Sequence, residues 1–487
     1  MKNPTTYGNL FLEFPAQIIR IDKMRIIEEF NEHGLAEIHL LACSENELRY
    51  ISELSADTRI RVVIQGKSVS DDLDDNRLVK NEHDKHDDVI FVGLASNIEV
   101  IKTKQVHYSV TLTLRSTTYL LDYKRVWRSF QDKLNPYENL FKTVIKSNYP
   151  QSVIFDYASD GALQDEAIIQ YNETNWQFMK RLASKLGVML LANVRAEYPN
   201  ICVGHFRGDT IKDETPAYEI QKENGSFLFA NLNFGGLNEE DKVFVKIKSP
   251  SQYEASDTVI YEQLIFKVYK KETVLEKGLI LFVYWLVKEN GIQGLPIVNS
   301  YILGASIDGK VLDVRNDRVK IHLSIDETQS IDEAYWYKYE TSYTSEGQTG
   351  FYSMPQIGDD VKLYTPTEYI DDAYVRTVNR LDGDANVKIQ DPNVKYYGNI
   401  DKKELMLAPA ELQVTSTNGM ILINMDDNQG IEITSSVDIM IHTQDAARIQ
   451  ARSIGIRAMN EIRLATRHSG ISVAGIIQLE ADGGVNL

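Results

Sequence analysis

Few side chains in this sequence are spaced as catalytic or metal-binding groups usually are. His83 and His86 stand beside Asp84, Asp87 and Asp88 in a densely acidic stretch. Imidazole and carboxylate groups are good metal ligands, but no third firm ligand follows at a fixed spacing. We therefore favour a solvated charged loop over a metal site, and we predict no cofactor.

Two pairs of adjacent carboxylates are the candidates for acid and base catalysis. Asp359 and Asp360 form one pair, and Asp371 and Asp372 form the other. Such pairs could act as general acid and base, although adjacent carboxylates at strand ends and turns are more often solvated. The sequence has no Gly-x-Ser-x-Gly elbow, no phosphate-binding loop ending in Lys-Ser or Lys-Thr, and no His-Glu-x-x-His. We predict no catalytic residues and no enzyme.

A cluster of aromatic residues raises the question of nucleic-acid binding. Tyr335, Trp336, Tyr337 and Tyr339 could stack against bases if they lay on a basic surface. The chain instead has a net charge of −18 and a pI near 5.1. Phosphate binding needs clustered Lys and Arg, so we predict no nucleic-acid partner and a structural role for this segment.

The clearest pattern is a repeat after Asn418. Apolar residues occur in pairs around one intervening residue, and the first members of successive pairs lie 10, 8, 8, 7, 8, 9 and 6 residues apart. Alternation within a pair is typical of a half-buried strand, and the recurrence indicates a repeat of one short strand and one turn. The apolar residues predicted to form a trimer core are Ile421, Ile423, Ile431, Ile433, Ile439, Ile441, Ile449, Ile454, Ile456, Ile462, Leu464, Ile471, Val473, Ile477 and Leu479.

A strand of three or four residues cannot bury its own face, so each repeat needs neighbours. Three chains wound about one axis would close the ribbon into a prism with the apolar pairs inside. The alternative is a monomeric solenoid, which is disfavoured because single-chain solenoids usually need about 20 residues per coil. We therefore predict a homotrimer.

Composition limits the remaining possibilities. With 487 residues, 43% hydrophobic and 25% charged, the chain is long enough for three or four ordinary globular domains. Cys43 and Cys202 provide no disulfide framework, which fits synthesis in a reducing cytoplasm. We expect no signal peptide. The longest apolar run, from Leu279 to Val287, is too short to span a bilayer and predicts a buried strand.

The order of strand and helix signals predicts five segments. Residues 1–125 and 126–300 are expected to be β-rich modules, the second with one helix capped by Asn135 and another that begins with a capping box at Thr174. Five short strands predict a small Greek-key barrel of the oligonucleotide/oligosaccharide-binding shape at 301–382. Residues 383–417 are expected to be a connector to the repeats at 418–487.

Several stretches, in this order, resemble the VgrG family of contractile injection systems. The first is Phe91-Val-Gly-Leu followed by the Tyr108 strand and Arg128-Ser-Phe-Gln. The second runs from Gln170 to Gly187, and the third combines Arg318-Val-Lys-Ile with Pro355-Gln-Ile-Gly-Asp-Asp-Val. The resemblance covers nearly the whole chain and depends on the order of the stretches, since no single motif suffices.

This resemblance implies a mainly β protein with β-barrel hub modules, a small OB-like barrel and a C-terminal intertwined trimeric β-helix. It also implies a structural hub and puncturing spike at the tip of a contractile machine, which pierces the target envelope and carries a tip cap and effectors. The implied partners are the inner tube, baseplate proteins, separate effectors and a PAAR-type tip protein, with membrane contacted only during puncture. The tip protein would bind Gly483, Gly484, Val485, Asn486 and Leu487.

Three features of the sequence refine that expectation. About 35 connector residues leave no room for the lysozyme-like domain of some phage spikes, and the sequence ends soon after the repeats, so effectors are expected to be separate molecules. No His-x-His pair stands near the end, so the cap is also expected to be separate. The alternatives are a glycan-degrading tailspike-like hydrolase and a static trimeric adhesin, and the class of contractile system stays open. We expect synthesis in the cytoplasm and delivery by contraction.

Overall fold

Strands dominate the protein, as the sequence predicts, with a few short helices between them. The chain divides into two compact units, residues 1–379 and 380–487. No helix among the described residues is both long enough and apolar enough to cross a membrane. The structure, a computed structural model, describes residues 9–14, 17–43, 54–65, 88–102, 107–206, 208–341, 343–344, 350–377, 386–416 and 419–473.

The first unit is built around one twelve-stranded sheet, which contains two sets of six strands. The N-terminal half-sheet comprises β1 (Leu10–Leu12), β2 (Gln17–Glu29), β3 (Leu35–Cys43), β4 (Arg59–Ile64), β5 (Asp88–Lys102) and β6 (His107–Ser116). A helical insert follows, with β7 (Arg125–Phe130), α1 (Tyr137–Lys146), β8 (Ile154–Asp156), β9 (Ile168–Thr174), α2 (Asn175–Lys185), β10 (Leu190–Ala192) and β11 (Ile201–Val203). The C-terminal half-sheet comprises β12 (Thr210–Lys212), β13 (Ala217–Lys222), β14 (Val243–Ser249), β15 (Thr258–Tyr261), β16 (Leu264–Glu276) and β17 (Leu279–Val287), with helix α3 (Asn224–Asn233) between β13 and β14.

The two half-sheets have the same strand order. In the N-terminal half-sheet the order is β1-β4-β5-β6-β3-β2, and in the C-terminal half-sheet it is β12-β15-β16-β17-β14-β13. If the six strands of each half-sheet are numbered 1 to 6 along the chain, both half-sheets have the order 1-4-5-6-3-2. Pairing of β2 with β16 joins them into one sheet. The predicted division near residue 125 therefore separates two sets of strands that share a sheet, and the five domain boundaries stay predictions.

Alternating side chains place the core of this sheet. In β6 every second residue is buried, which is the pattern of a strand with one face against a core. The apolar run at Leu279–Val287 is strand β17 and is mostly buried, as predicted. One continuous apolar cluster packs residues of both half-sheets together, including Ile38, Leu112 and Tyr284.

The two predicted helices pack in the insert against a second apolar cluster. Thr174 accepts a hydrogen bond from the backbone N–H of Gln177, whose side chain accepts one in return, so α2 begins with the predicted capping box. Gly187, which follows the end of α2, has a φ of +70°, a conformation that glycine adopts without strain. The predicted cap of α1 at Asn135 is wrong, because extended Pro136 precedes the helix and Asn135 instead lies in a turn with Asp132.

The first unit ends in a closed five-stranded barrel, as predicted for this part of the sequence. The strands of this region are β18 (Ser306–Arg315), β19 (Arg318–Leu323), β20 (Trp336–Tyr339), β21 (Tyr343–Thr344), β22 (Gly350–Phe351), β23 (Asp360–Tyr364) and β24 (Tyr374–Thr377). The strand order in the barrel is β18-β19-β20-β24-β23, with β20 and β24 parallel. The hairpin of β18 and β19 turns at Asn316 and Asp317, and Asn316 has a φ of +51°.

The second unit contains a five-stranded antiparallel meander followed by a hairpin. Three strands of the meander lie in residues 383–417, which were predicted to be a connector. The strands are β25 (Lys395–Gly398), β26 (Glu404–Ala408), β27 (Glu411–Ser416), β28 (Ile421–Asp426), β29 (Gly430–Ser435), β30 (Ile462–Ala465) and β31 (Gly470–Val473).

Candidate functional site: an uncovered apolar face in the second unit

The meander in the second unit has one apolar face. Directly opposed residues of neighbouring strands lie on the same face of a sheet, so the strand register shows which side chains form a row. One row contains Tyr397, Leu405, Val414, Ile423 and Ile433. The next row on the same face contains Leu407, Leu412, Met425 and Ile431.

No described residue covers this face. Most of its aliphatic side chains are between 36% and 72% exposed. No described residue of 380–487 is buried, in contrast to the first unit. Monomeric proteins rarely expose apolar patches this continuous, and such patches usually mark an interface.

The repeats after the meander are equally uncovered. Ile439, Ile441, Ile449, Ile454 and Ile456 are between 54% and 84% exposed. These residues were predicted to lie on strands, but residues 437–461 form no strand, and residues 439–460 make no backbone-to-backbone hydrogen bond to another described residue. The reason is physical, since a strand exists only where a neighbour pairs with it, and this single chain places no neighbour there.

The hairpin at the end of the described chain pairs the next apolar residues. Ile462 lies opposite Val473, and Leu464 lies opposite Ile471. The structure thus brings Ile421, Ile423, Ile431 and Ile433 together on one face and these four in one hairpin. The predicted core residues Ile477 and Leu479 lie outside the described residues, as do the predicted tip residues Gly483, Gly484, Val485, Asn486 and Leu487.

Sequence reasoning missed the part of the apolar face that precedes residue 418. Leu405, Leu407, Leu412 and Val414 extend the rows across β26 and β27. The sequence contains one alternating apolar pair on each side of the Pro409-Ala410 turn, which is the same pattern as in the later repeats. Leu405 and Leu412 lie 7 residues apart, and Leu412 and Ile421 lie 9 apart, so the repeat after residue 418 continues upstream with similar spacing.

The acidic pairs considered for catalysis are engaged in local structure. Asp359 accepts the backbone N–H of Gln356 in a turn, and the Asp360 carboxylate lies 2.9 Å from the Lys310 ammonium. Asp371 accepts the hydroxyl of Tyr335 at 3.3 Å, and Asp372 accepts that of Thr367 at 2.7 Å. Turn formation and surface ion pairing account for these four carboxylates.

The aromatic cluster does not form a single stacking surface. Tyr337 is buried in the barrel core, with Tyr335 packed edge-to-face against it at 4.9 Å. Trp336 points to the other side of β20 and lies beneath the Lys320 ammonium. Alternation along the strand separates the rings, so they do not offer one platform for successive bases.

The candidate metal site lies almost wholly outside the described residues. Asp88 begins β5, whereas His83, Asp84, His86 and Asp87 are not described. Elsewhere in the part of the chain that the structure describes, no three His, Cys, Asp or Glu side chains come together as a metal site requires.

A hydroxyl, an imidazole and a carboxylate do come together in the first unit. The two ring nitrogens of His33 contact Thr118 Oγ1 at 2.9 Å and Asp122 Oδ2 at 3.0 Å. Asp122 also accepts the hydroxyl of Thr174, the cap of α2. Thr118 is fully buried, so no substrate reaches the hydroxyl, and the cluster instead holds α2 against the N-terminal half-sheet.

The pKa values of this cluster follow from its burial. Burial lowers the pKa of His33 despite the opposing hydrogen bond to Asp122. Burial alone would raise the pKa of Asp122, but hydrogen bonds from His33 and Thr174 outweigh it and the net pKa is below the usual value. The lowered pKa of His33 favours a neutral imidazole at neutral pH, and the tautomer with its proton on Nε2 donates to the Asp122 carboxylate.

Comparison with known proteins reveals similarity at the level of structure. No protein-family model matches the sequence, and no curated protein is similar to it in sequence. The lidded form of the Francisella PdpA-VgrG complex is similar with a TM-score of 0.51 at 9% identity, over 85% of this chain and 76% of that chain. For the half-lidded form the TM-score is 0.50 at 9% identity, over 85% and 83%.

A further similar structure is that of the E. coli c3393 protein. It is described as a component of the type VI secretion system with structural similarity to the T4 bacteriophage tail proteins gp27 and gp5. The TM-score is 0.49 at 11% identity, over 75% of this chain and 98% of that chain. The likeness to the PdpA-VgrG structures shows that this chain has a VgrG-like fold, which confirms the predicted resemblance for the fold.

Proposed function

We propose that this protein is a structural hub and spike of a contractile injection machine, assembled as a homotrimer. The observation that carries the proposal is the apolar face of the second unit, which no described residue covers. Other copies of the same chain are the simplest partners to bury this face. The apolar pairs recur along the chain, and three copies would direct them toward one axis. The VgrG-like fold supports the same assembly.

The energetic argument favours several chains over one. Fully burying an aliphatic side chain stabilises a protein by roughly 1.5 to 3 kcal/mol. Eight aliphatic side chains of the meander face are more than a third exposed. A single chain therefore gains only part of the free energy that their full burial would provide. Association would also provide backbone partners for residues 439–460, which make no backbone-to-backbone hydrogen bond within the described chain.

In this role the first unit would dock on the inner tube and baseplate, and the second would be the stiff puncturing element. Residues 483–487 would bind a separate PAAR-type tip protein, and separate effectors would travel with the spike. The membrane would be contacted only during puncture. The protein would be made in the cytoplasm without a signal peptide and delivered by contraction.

A non-enzymatic role is part of the same proposal. The local engagement of the four candidate carboxylates and the burial of Thr118 support it. A tailspike-like hydrolase would need free carboxylates and exposed aromatic residues along the repeats, where the sequence contains no Trp, Tyr or Phe after Tyr397. A static adhesin would differ in its partners, because it would not copurify with sheath and tube proteins. Electron microscopy of such a preparation would show no contractile particle.

The test is the mass of the full-length protein in solution, measured by light scattering. We expect three copies for the wild type and one for Ile441→Asp, because three carboxylates would meet on the apolar axis. His442→Asp is the matched control, since it adds the same charge one residue later, on the outer face. An intact trimer for Ile441→Asp, or a monomeric wild type, would overturn the proposal.

A further inference from the structure

A cleft lies between the helical insert and the C-terminal half-sheet. Its volume is about 940 Å³, within the range of about 300 to 1,000 Å³ that is typical of ligand sites. Residues that follow β8 and β11 form one wall, and residues of β12, β15 and β16 form the other. The lining includes Tyr157, Phe206, Thr210, Thr258, Ile265 and Lys267.

One cation at this cleft has no carboxylate partner. Lys267 lines the cleft and is 6% exposed. Its ammonium makes a single hydrogen bond to the described residues, a long one of 3.4 Å to the backbone carbonyl of Ser256, and no ion pair with them. Burial of a charge is unfavourable unless the charge is paired. The chain therefore leaves this buried lysine without a counter-ion.

Lys271, on the same strand, has the usual arrangement. It is 2% exposed, and its ammonium lies 3.2 Å from a carboxylate oxygen of Glu28 and 3.4 Å from one of Glu254. The two lysines are buried to a similar degree, but the chain supplies a counter-ion to only one of them. A ligand in the cleft can supply the other.

The remaining charged groups of the described cleft lining pair with each other. His205 Nε2 lies 2.8 Å from a carboxylate oxygen of Glu289. This local pair neutralises both groups when the imidazole is protonated, and it engages the one carboxylate of the described lining. Lys267 is thus the cation that an incoming anion would meet unpaired.

Strand pairing places two hydroxyl groups in line with this ammonium. Thr210 pairs with Thr258, and Thr258 pairs with Lys267, across β12, β15 and β16. Directly opposed residues lie on the same face of a sheet, so the three side chains form one polar row. A carboxylate has two acceptor oxygens, and this row offers both ammonium and hydroxyl donors.

Apolar side chains flank the polar row. Ile265 lies two residues before Lys267 on the same face of β16 and is 64% exposed. On the opposite wall Tyr157 is 56% exposed, and its ring centroid lies 6.1 Å from that of Phe206. An apolar group attached to the carboxylate would remove these surfaces from water.

The backbone is strained at the same place. Ser256, whose carbonyl accepts from Lys267, has a φ of +83°, a conformation that is unfavourable for residues other than glycine. Its hydroxyl donates to the Phe206 carbonyl at 2.8 Å, and its N–H donates to the Val268 carbonyl at 2.9 Å. Strained residues cluster at binding sites, and this one ties the two walls of the cleft together beside the lysine.

We propose that this cleft binds a carboxylate joined to an apolar or aromatic group. Lys267 supplies the charge, Thr210 and Thr258 supply hydroxyl donors, and Tyr157 and Ile265 cover the apolar group. A free organic acid and a peptide with an acidic residue next to an aromatic one present this same chemistry. The site lies within one chain, so it goes beyond the proposed function and does not depend on the number of copies.

Titration of the full-length protein with phenylacetate, followed by ligand-observed NMR, tests the site. Phenylacetate is expected to bind at least about tenfold more tightly than its uncharged analogue phenylacetamide, because a hydrogen bond to a charged group is among the stronger ones. Lys267→Met is expected to abolish that difference by weakening phenylacetate binding alone.

The apolar wall is tested with acetate as the second probe. Tyr157→Ala is expected to weaken phenylacetate binding and to leave acetate binding unchanged. Tyr123→Ala is the matched control, since Tyr123 is similarly exposed, at 60% against 56%, but lies outside the cleft. Equal binding of acetate and phenylacetate to the wild type would overturn the assignment of an apolar group to the ligand.

Thermal unfolding gives a readout that needs no ligand. Lys267→Met removes an unpaired buried charge and is expected to raise the unfolding temperature of the first unit, which contains all four tryptophans and is followed by their fluorescence. Lys271→Met is the control and is expected to lower it, because Glu28 and Glu254 lose their partner. An equal fall for both variants would overturn the view that Lys267 lacks a partner in the chain.

Two peptides identify the source of the carboxylate. One is a short capped peptide with glutamate next to phenylalanine, and the other has glutamine in place of the glutamate. Binding of the glutamate peptide alone, with loss in Lys267→Met, would support a protein segment as the ligand, whereas binding of phenylacetate without either peptide would support a free organic acid. If neither probe binds, or if Lys267→Met binds phenylacetate like the wild type, the inference is wrong. The mass of the assembly tests the proposed function separately.

Discussion

The two units of this protein bury apolar surface in different ways. The first unit contains large cores in which side chains such as Phe141 and Ile38 are fully buried by the same chain. The second has an equally apolar sheet face, yet no described side chain in it is buried. Under the proposed assembly, this sequence specifies strands whose partners lie in other copies of the chain. We therefore expect substitutions in the first unit to change folding stability, and those in the second to change assembly.

The largest effect is expected for a charge on the apolar face of the meander. Ile433→Asp would bury a carboxylate in the assembled face, which is unfavourable without a partner, so the second unit should fail to assemble. Limited proteolysis should then remove residues 380–487 and leave the first unit intact. Thr434→Asp, on the opposite face of the same strand, should resist proteolysis like the wild type, and equal cleavage of both variants would contradict the comparison.

A core truncation in the first unit should have the converse effect. Phe141→Ala removes a fully buried ring of α1 and should lower the free energy of unfolding of that unit by about 3 to 5 kcal/mol. Urea denaturation followed by tryptophan fluorescence would measure the loss. The mass of the Phe141→Ala variant in native buffer should remain that of the wild type. Dissociation of the variant without a loss of stability would contradict the assignment of folding stability to the first unit and assembly to the second.

A buried ion pair offers a sharper test within the first unit. Arg181 donates to both carboxylate oxygens of Glu173 at 2.8 to 2.9 Å. Arg181→Met leaves that carboxylate buried and unpaired, and should cost about 3 kcal/mol. The double variant with Glu173→Gln should recover part of the loss, because it removes the unpaired charge. If the double variant is no more stable than Arg181→Met alone, the loss of stability comes from the packing of the arginine side chain and not from its charge.

The smallest effect concerns pH and the His33 cluster. Because the pKa of His33 is lower in the folded protein than its usual 6.5, acidification protonates the unfolded state first. This histidine therefore contributes stability above pH 6.5 that is lost as pH falls toward its lowered folded-state pKa. Thermal unfolding between pH 8 and 5 should show a decline for the wild type that is shallower for His33→Asn. The lowered pKa of Asp122 adds a further loss, but only below about pH 4.

Parts of the fold were predictable because the signal is local. The capping box at Thr174 and the apolar period after residue 418 depend on neighbours within about ten residues. The repeated 1-4-5-6-3-2 order was not predictable, since it depends on pairings such as Glu29 with Lys270, more than 200 residues apart. The burial of Thr118 beside His33 has the same character, because these residues meet only when the sheet forms.

The sequence alone determined that strands dominate, that the chain is acidic overall and that apolar pairs recur near the C-terminus. These follow from side-chain chemistry and from the two-residue period of a strand, which need no knowledge of distant contacts. The tertiary structure decided which apolar residues this chain buries and which it leaves exposed. Burial depends on the strands that pass alongside, so Ile26 of β2, which pairs with β16, is 1% exposed, whereas Ile220 of the edge strand β13 is 67% exposed.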